Sequence, residues 1–111
     1  MRVSELNELF LTGKNIKYKS DQIITYTNKI LGDKIVWLYH GNVIASRNSG
    51  DKFFQIFQGW SILTVSTKRR LNNFKNIRLF HENFITFISY YPYDTFQYFD
   101  GSATIPNNWC K

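Results

Sequence analysis

Residues 34–58 read KIVWLYHGNVIASRNSGDKFFQIFQ, and their pattern decides the fold. Three runs rich in β-branched and aromatic residues, Lys34 to Tyr39, Val43 to Arg47 and Lys52 to Gln58, are separated by His40-Gly41-Asn42 and by Asn48-Ser49-Gly50-Asp51. Short turn-forming breaks between such runs predict a meander of antiparallel strands. Along the third run Phe53, Gln55 and Phe57 share one face while Phe54, Ile56 and Gln58 share the other. Both faces carry apolar side chains, so a helix is expected to cover one of them.

Working outward, the covering helix is expected to begin with Ser66 or Thr67 as N-cap and to run from Lys68 to Phe74, with Leu71 and Phe74 as its anchors. Upstream, Ser4 can cap a short amphipathic helix in which Val3, Leu6, Leu9 and Phe10 recur at helical spacing, ending at Thr12-Gly13. Lys14 to Ser20 alternates in the manner of an edge strand. Ile23 to Thr27 reads as a strand, followed by a turn at Leu31-Gly32-Asp33. Downstream, Ile77 to Phe80 and Phe84 to Tyr91 predict a hairpin turning at His81-Glu82-Asn83. Pro92 interrupts the pattern, and Thr95 to Phe99 is a last short strand. Asp100-Gly101 opens a loop that runs through Pro106-Asn107-Asn108 to Trp109. The expectation is a single α+β domain over residues 1–111: an antiparallel sheet of five to six strands, a short N-terminal helix, and one central helix packed on one face.

Composition narrows the function classes. The longest apolar runs, such as Ile35 to Tyr39, fall far short of the ~20 residues that span a bilayer. Acidic residues interrupt the first ten positions where a secretion signal needs an apolar stretch. The only cysteine, Cys110, cannot close an internal disulfide, which fits a cytoplasmic protein. His40 and His81 are expected in separate turns without a second ligand at metal spacing. Neither a GxGxxG nor a GxxxxGK loop is present, and the eight acidic residues are scattered singly. These readings point away from an enzyme and call for no cofactor or metal.

Binding chemistry is concentrated in two places. Lys68, Arg69, Arg70, Lys75 and Arg78 fall within eleven residues that contain no acid. They suit phosphate contacts, and they equally suit a solvated helix face. With Ser66 or Thr67 as cap, the first three cations lie in the opening turn, where the helix dipole opposes them unless an anion is bound there. The second place is aromatic. Phe53, Phe57, Phe84 and Phe87 can serve as a stacking platform for bases or as core. Tyr90, Tyr91, Tyr93, Phe96, Tyr98, Phe99 and Trp109 stand among Glu82, Asp94 and Asp100, a composition suited to a protein-binding strip with Tyr91 and Tyr93 as contacts, or to a sheet edge packed by its own tail.

The run His40-Gly41-Asn42-x-Ile44-Ala45, followed by Thr64-x-Ser66-Thr67-Lys68-x-Arg70-Leu71-Asn72, resembles small uncharacterised accessory proteins encoded by tailed bacteriophages. The likeness covers the central third of the chain, with a longer interval between Gly59-Trp60 and Ser66-Thr67 than that pattern has. It implies a phage origin and an accessory role inside the host cell, and it supplies no catalytic residues. The expected function is binding of a host macromolecule, a protein or a protein–nucleic acid complex. Inhibition of a bacterial defence system such as a CRISPR effector, in the manner of an anti-CRISPR protein, is the outcome that this role implies. The alternative is a nucleic-acid-binding module that contacts phosphates through the basic helix at 67–78.

Overall fold

The computed structural model describes residues 1–27, 29–30, 32–50, 52–60, 63–75, 77–82, 85–90 and 93–106, the side chains of Tyr93 and Asp94 excepted. The meander of residues 34–58 forms as its alternation dictates: β3 (Lys34–Tyr39), β4 (Asn42–Asn48) and β5 (Phe53–Phe57) pair antiparallel in sequence order. Tyr39 pairs with Asn42, so the β3–β4 turn contains just His40 and Gly41, both left-handed at φ 50° and 79°. Two positive φ values match the twist of a tight hairpin. A bulge between Trp37 and Leu38 places one extra β4 residue, Ile44, in the ladder, and this lets the neighbours Ile44 and Ala45 both be buried.

The N-terminal helix α1 (Val3–Thr12) leads into β1 (Ile16–Tyr18) and β2 (Asp21–Tyr26), which extend the meander on the β3 side. The final segment extends it on the other side. Ser102–Pro106 forms β9, antiparallel to β5 with Phe54 opposite Ile105 and Ile56 opposite Ala103. The main sheet thus has six strands in the order β1-β2-β3-β4-β5-β9. Ser102–Pro106 was expected to be loop because Gly101 and Pro106 bracket it. Its alternation of Ala103 and Ile105 with polar residues instead pairs it to an open edge.

The hairpin downstream of the second helix does not join that sheet. β6 (Ile77–Glu82), β7 (Ile85–Tyr90) and β8 (Tyr93–Tyr98) form a separate three-stranded antiparallel sheet. His81 belongs to β6, opposite Thr86, and its Nδ1 lies 2.9 Å from the Thr86 hydroxyl, so it is a strand residue where a turn residue was expected. The proposed platform also divides. Phe53 and Phe57 lie on β5 of the large sheet and Phe87 on β7 of the small one, while Phe84 lies outside the described residues.

Helix α2 (Val65–Asn72) begins earlier than Ser66 or Thr67 as N-cap would place it. Thr64 is the N-cap: its hydroxyl oxygen accepts from the Thr67 N–H at 3.2 Å and donates to the Thr67 hydroxyl at 3.1 Å. Thr67 is consequently fully buried, a turn below Leu71. The core is a ring cluster in which Phe10, Trp37, Phe54 and Phe74 lie 5.0 to 6.2 Å apart by centroid, mostly tilted or edge-on. Ile77, Leu79 and Ile88 of the small sheet belong to the same buried cluster. The Asn72 amide reinforces that junction, accepting from the Leu79 N–H at 2.6 Å and donating to the Leu79 carbonyl at 3.0 Å.

Candidate anion-binding cleft

Moving the start of α2 to Thr64 changes the electrostatic meaning of its cations. Arg69 and Arg70 lie in the last turn, where the dipole is negative and a cation is favoured. They do not surround the helix N-terminus, and the anion site expected there keeps Lys68 alone of its three cations. Thr67, Leu71 and Phe74 face the core, which leaves Arg69 outward and exposed and Lys68 half-buried. Lys75 follows the helix and Arg78 lies on β6, both exposed. Among the described residues none of these four cations meets a carboxylate.

Arg70 behaves differently. Its Nε and Nη2 donate to the two oxygens of Asp21 at 2.7 and 2.8 Å, a planar fork on a carboxylate that is almost fully buried. The Trp37 indole N–H donates to the same Asp21 Oδ1 at 3.0 Å. The guanidinium lies 3.8 Å from the centroid of the Tyr39 ring, and Nη1 donates to the Ser66 carbonyl at 3.1 Å. Hydrogen bonding to Asp21 raises the Arg70 pKa, with burial opposing. Arg70 therefore tethers α2 to β2 and β3, and it does not stand with the outward cations as the sequence reading placed it.

Around this ion pair opens a cleft of about 720 Å³ between α1, the β1–β2 turn and α2. Arg2, Lys19, Arg69 and Arg70 line it against one carboxylate, Asp21. Lys19 holds a left-handed backbone at φ 54°, and its ammonium lies 5.3 Å from the Tyr18 ring centroid. The Tyr18 hydroxyl accepts from the Met1 ammonium at 3.1 Å, and that bond, with Lys19 beside it, lowers the Tyr18 pKa. Such an assembly of cations and hydroxyls can hold an anion. Arg2, Asp21 and Tyr39 were not singled out from the sequence. Asp21 and Arg70 are 49 positions apart, and no local spacing signals their pairing.

The aromatic strip takes a partial form. Alternation puts Phe80, Phe87, Phe96 and Tyr98 on one face of the small sheet, with Arg78 beside them. Phe80 stacks on Phe87 at 5.3 Å and meets the edge of Phe96 at 4.5 Å, while Phe96 and Tyr98 are 46% and 69% exposed. Phe99 is buried instead. Tyr93 belongs to β8 opposite Tyr90, and Tyr91 and Trp109 lie outside the described residues. Among the described residues no group of three or more His, Cys, Asp or Glu could hold a metal ion, and no helix is long and apolar enough to cross a membrane.

No curated protein and no solved structure matches the chain. A family model does: the one described as Kyanoviridae Gp96 protein matches residues 2–105. With nearly the whole chain matched, from α1 through β9, this protein belongs to the Kyanoviridae Gp96 family of bacteriophage proteins.

Proposed function

We propose that this phage protein acts without catalysis, by binding a host macromolecule through its phosphates, and that it inhibits a nucleoprotein defence effector such as a CRISPR complex. The supporting observation is the outward, acid-free placement of Arg69, Lys75 and Arg78 with half-buried Lys68, on a chain of net charge +6. Contacts of this kind are independent of base sequence and weaken with salt. Four neutralised phosphates lower affinity about 100-fold between about 50 and 200 mM salt.

The test is affinity capture from expressing bacteria, with half of each sample treated with nuclease. The wild-type chain is expected to capture a nucleoprotein, and Lys75→Glu with Arg78→Glu is expected to lose it while keeping the fold. Unchanged capture by that variant defeats the reading. A second reading, docking of a host protein on the small sheet, is favoured by the exposed Phe96 and Tyr98. Under that reading Phe96→Ala with Tyr98→Ala abolishes capture, charge reversal does not, and salt has little effect.

A further inference from the structure

The cleft between α1, the β1–β2 turn and α2 carries more than its share of unmatched charge. Arg2 comes from the start of α1, Lys19 from the β1–β2 turn and Arg69 from α2, so three separate elements deliver cations to one concavity. The single carboxylate on its wall, Asp21, is already held by Arg70 and Trp37 and is nearly fully buried. Among the described residues Arg2, Lys19 and Arg69 have no carboxylate partner.

Two further observations fit an anion. The N-cap residue of α1, Arg2, makes no side-chain cap, and Val3 and Ser4 of the first turn line the cleft, so the positive end of the helix lies at its wall. The Arg70–Asp21 pair beneath is rigid, held by a bidentate fork and by the Tyr39 ring. Lys19 also occupies a left-handed position that glycine or asparagine would fill at less cost. A volume of about 720 Å³ is far larger than a bare phosphate needs and falls in the ordinary range of small-molecule sites.

We propose that this cleft binds a phosphate monoester of nucleotide size, with Arg2, Lys19 and Arg69 on the phosphate and the Arg70–Asp21 pair as its rigid floor. This does not rest on the macromolecule-binding reading, with which it shares Arg69 alone. The phosphate monoester can come from a free nucleotide or from the 5′ end of a nucleic acid strand.

Amide resonances of the full chain are followed while three probes are added separately: adenosine monophosphate, a 5′-phosphorylated oligothymidylate, and the same oligothymidylate with a 5′ hydroxyl. Either or both phosphate monoesters are expected to shift residues 2–4, 19–20 and 69–70 with a Kd below about 1 mM. Shifts with the mononucleotide alone identify a free nucleotide, and shifts with the phosphorylated strand alone identify a strand end. Arg2→Glu and Lys19→Gly should each weaken the response about tenfold, since each removes one charge-assisted contact. Lys52→Glu, at an exposed side chain outside both the cleft and the basic surface, should leave it unchanged. Thermal unfolding of both cleft variants at or above the wild-type temperature verifies that the fold is kept. Cleft resonances that stay put with both monoesters at about 10 mM overturn the proposal. So does equal binding of the 5′-hydroxyl strand, or a response that Arg2→Glu and Lys19→Gly leave intact. The macromolecule-binding reading fails separately, on Lys75→Glu with Arg78→Glu.

Discussion

At Asp21 one buried carboxylate satisfies two donors of Arg70 and the Trp37 indole N–H, and so joins β2, β3 and α2 at one oxygen pair. Removing it strands a guanidinium whose side chain is 16% exposed. Breaking a buried pair from one side costs about 3 kcal/mol or more. Asp21→Ala is therefore expected to lower unfolding free energy by about 3 kcal/mol in urea titration, and Asp21→Asn, which keeps an acceptor for Trp37, by less. The Arg70 pKa is raised in the fold, so its contribution is complete at neutral pH and is lost only as pH rises through that raised value. Thermal unfolding should accordingly show no Arg70-dependent change between about pH 6 and 9, checked by comparing wild type with Arg70→Met. Lys19 illustrates the opposite balance. Lys19→Gly relieves a left-handed backbone and should raise stability by about 1 kcal/mol, read by the same titration.

Both helices depend on side-chain oxygens or nitrogens at their ends. The last carbonyls of α1 are received by Arg47 from β4: its Nε donates to the Phe10 carbonyl at 3.0 Å and its Nη2 to the Leu11 carbonyl at 2.6 Å. Gly13, left-handed at φ 78°, completes the C-cap by donating to Leu9. Burial lowers the Arg47 pKa, and the guanidinium keeps its charge beside the negative helix end. Arg47→Ala should cost about 2 kcal/mol and raise amide exchange in the last turn of α1 first. At α2 the cap is Thr64, and its loss also leaves the buried Thr67 hydroxyl without its donor. Thr64→Ala should cost about 1 to 2 kcal/mol, with helical circular dichroism reduced before global unfolding.

The whole molecule is closed by its C-terminal strand. β9 covers the outer edge of β5 and brings Ile105 to 1% exposure opposite Phe54, about fifty residues away in sequence. Ile105→Ala should destabilise by about 3 kcal/mol in urea titration, the cost of a buried aliphatic cavity. Ending the chain at Gly101 should do more, because β5 would then present an unpaired edge with Phe53 exposed on it, and light scattering should report association. The two sheets meet through one buried cluster, in which Phe74 after α2 packs on Phe10, Trp37 and Phe54. Helix α2, with Arg69 on its outward face, is therefore held against both sheets, Asn72 bonding Leu79 on one side and Arg70 bonding Asp21 on the other.

Local pattern by itself determined the meander of residues 34–58, the N-terminal helix ending at Gly13 and the hairpin of β6 and β7, because alternation and turn chemistry act over a few residues. Where α2 begins was less legible, since Thr64, Ser66 and Thr67 can all cap and only the burial of Thr67 against the core selects the first. Tertiary structure alone decided that the strands divide into two sheets, that Ser102–Pro106 returns to β5, and that Arg70 turns inward to Asp21. Strand alternation says which side chains face a core but not which edge a strand will find. A cation 49 positions from a carboxylate becomes its partner only when packing of the Phe10, Trp37, Phe54 and Phe74 rings brings the two elements together.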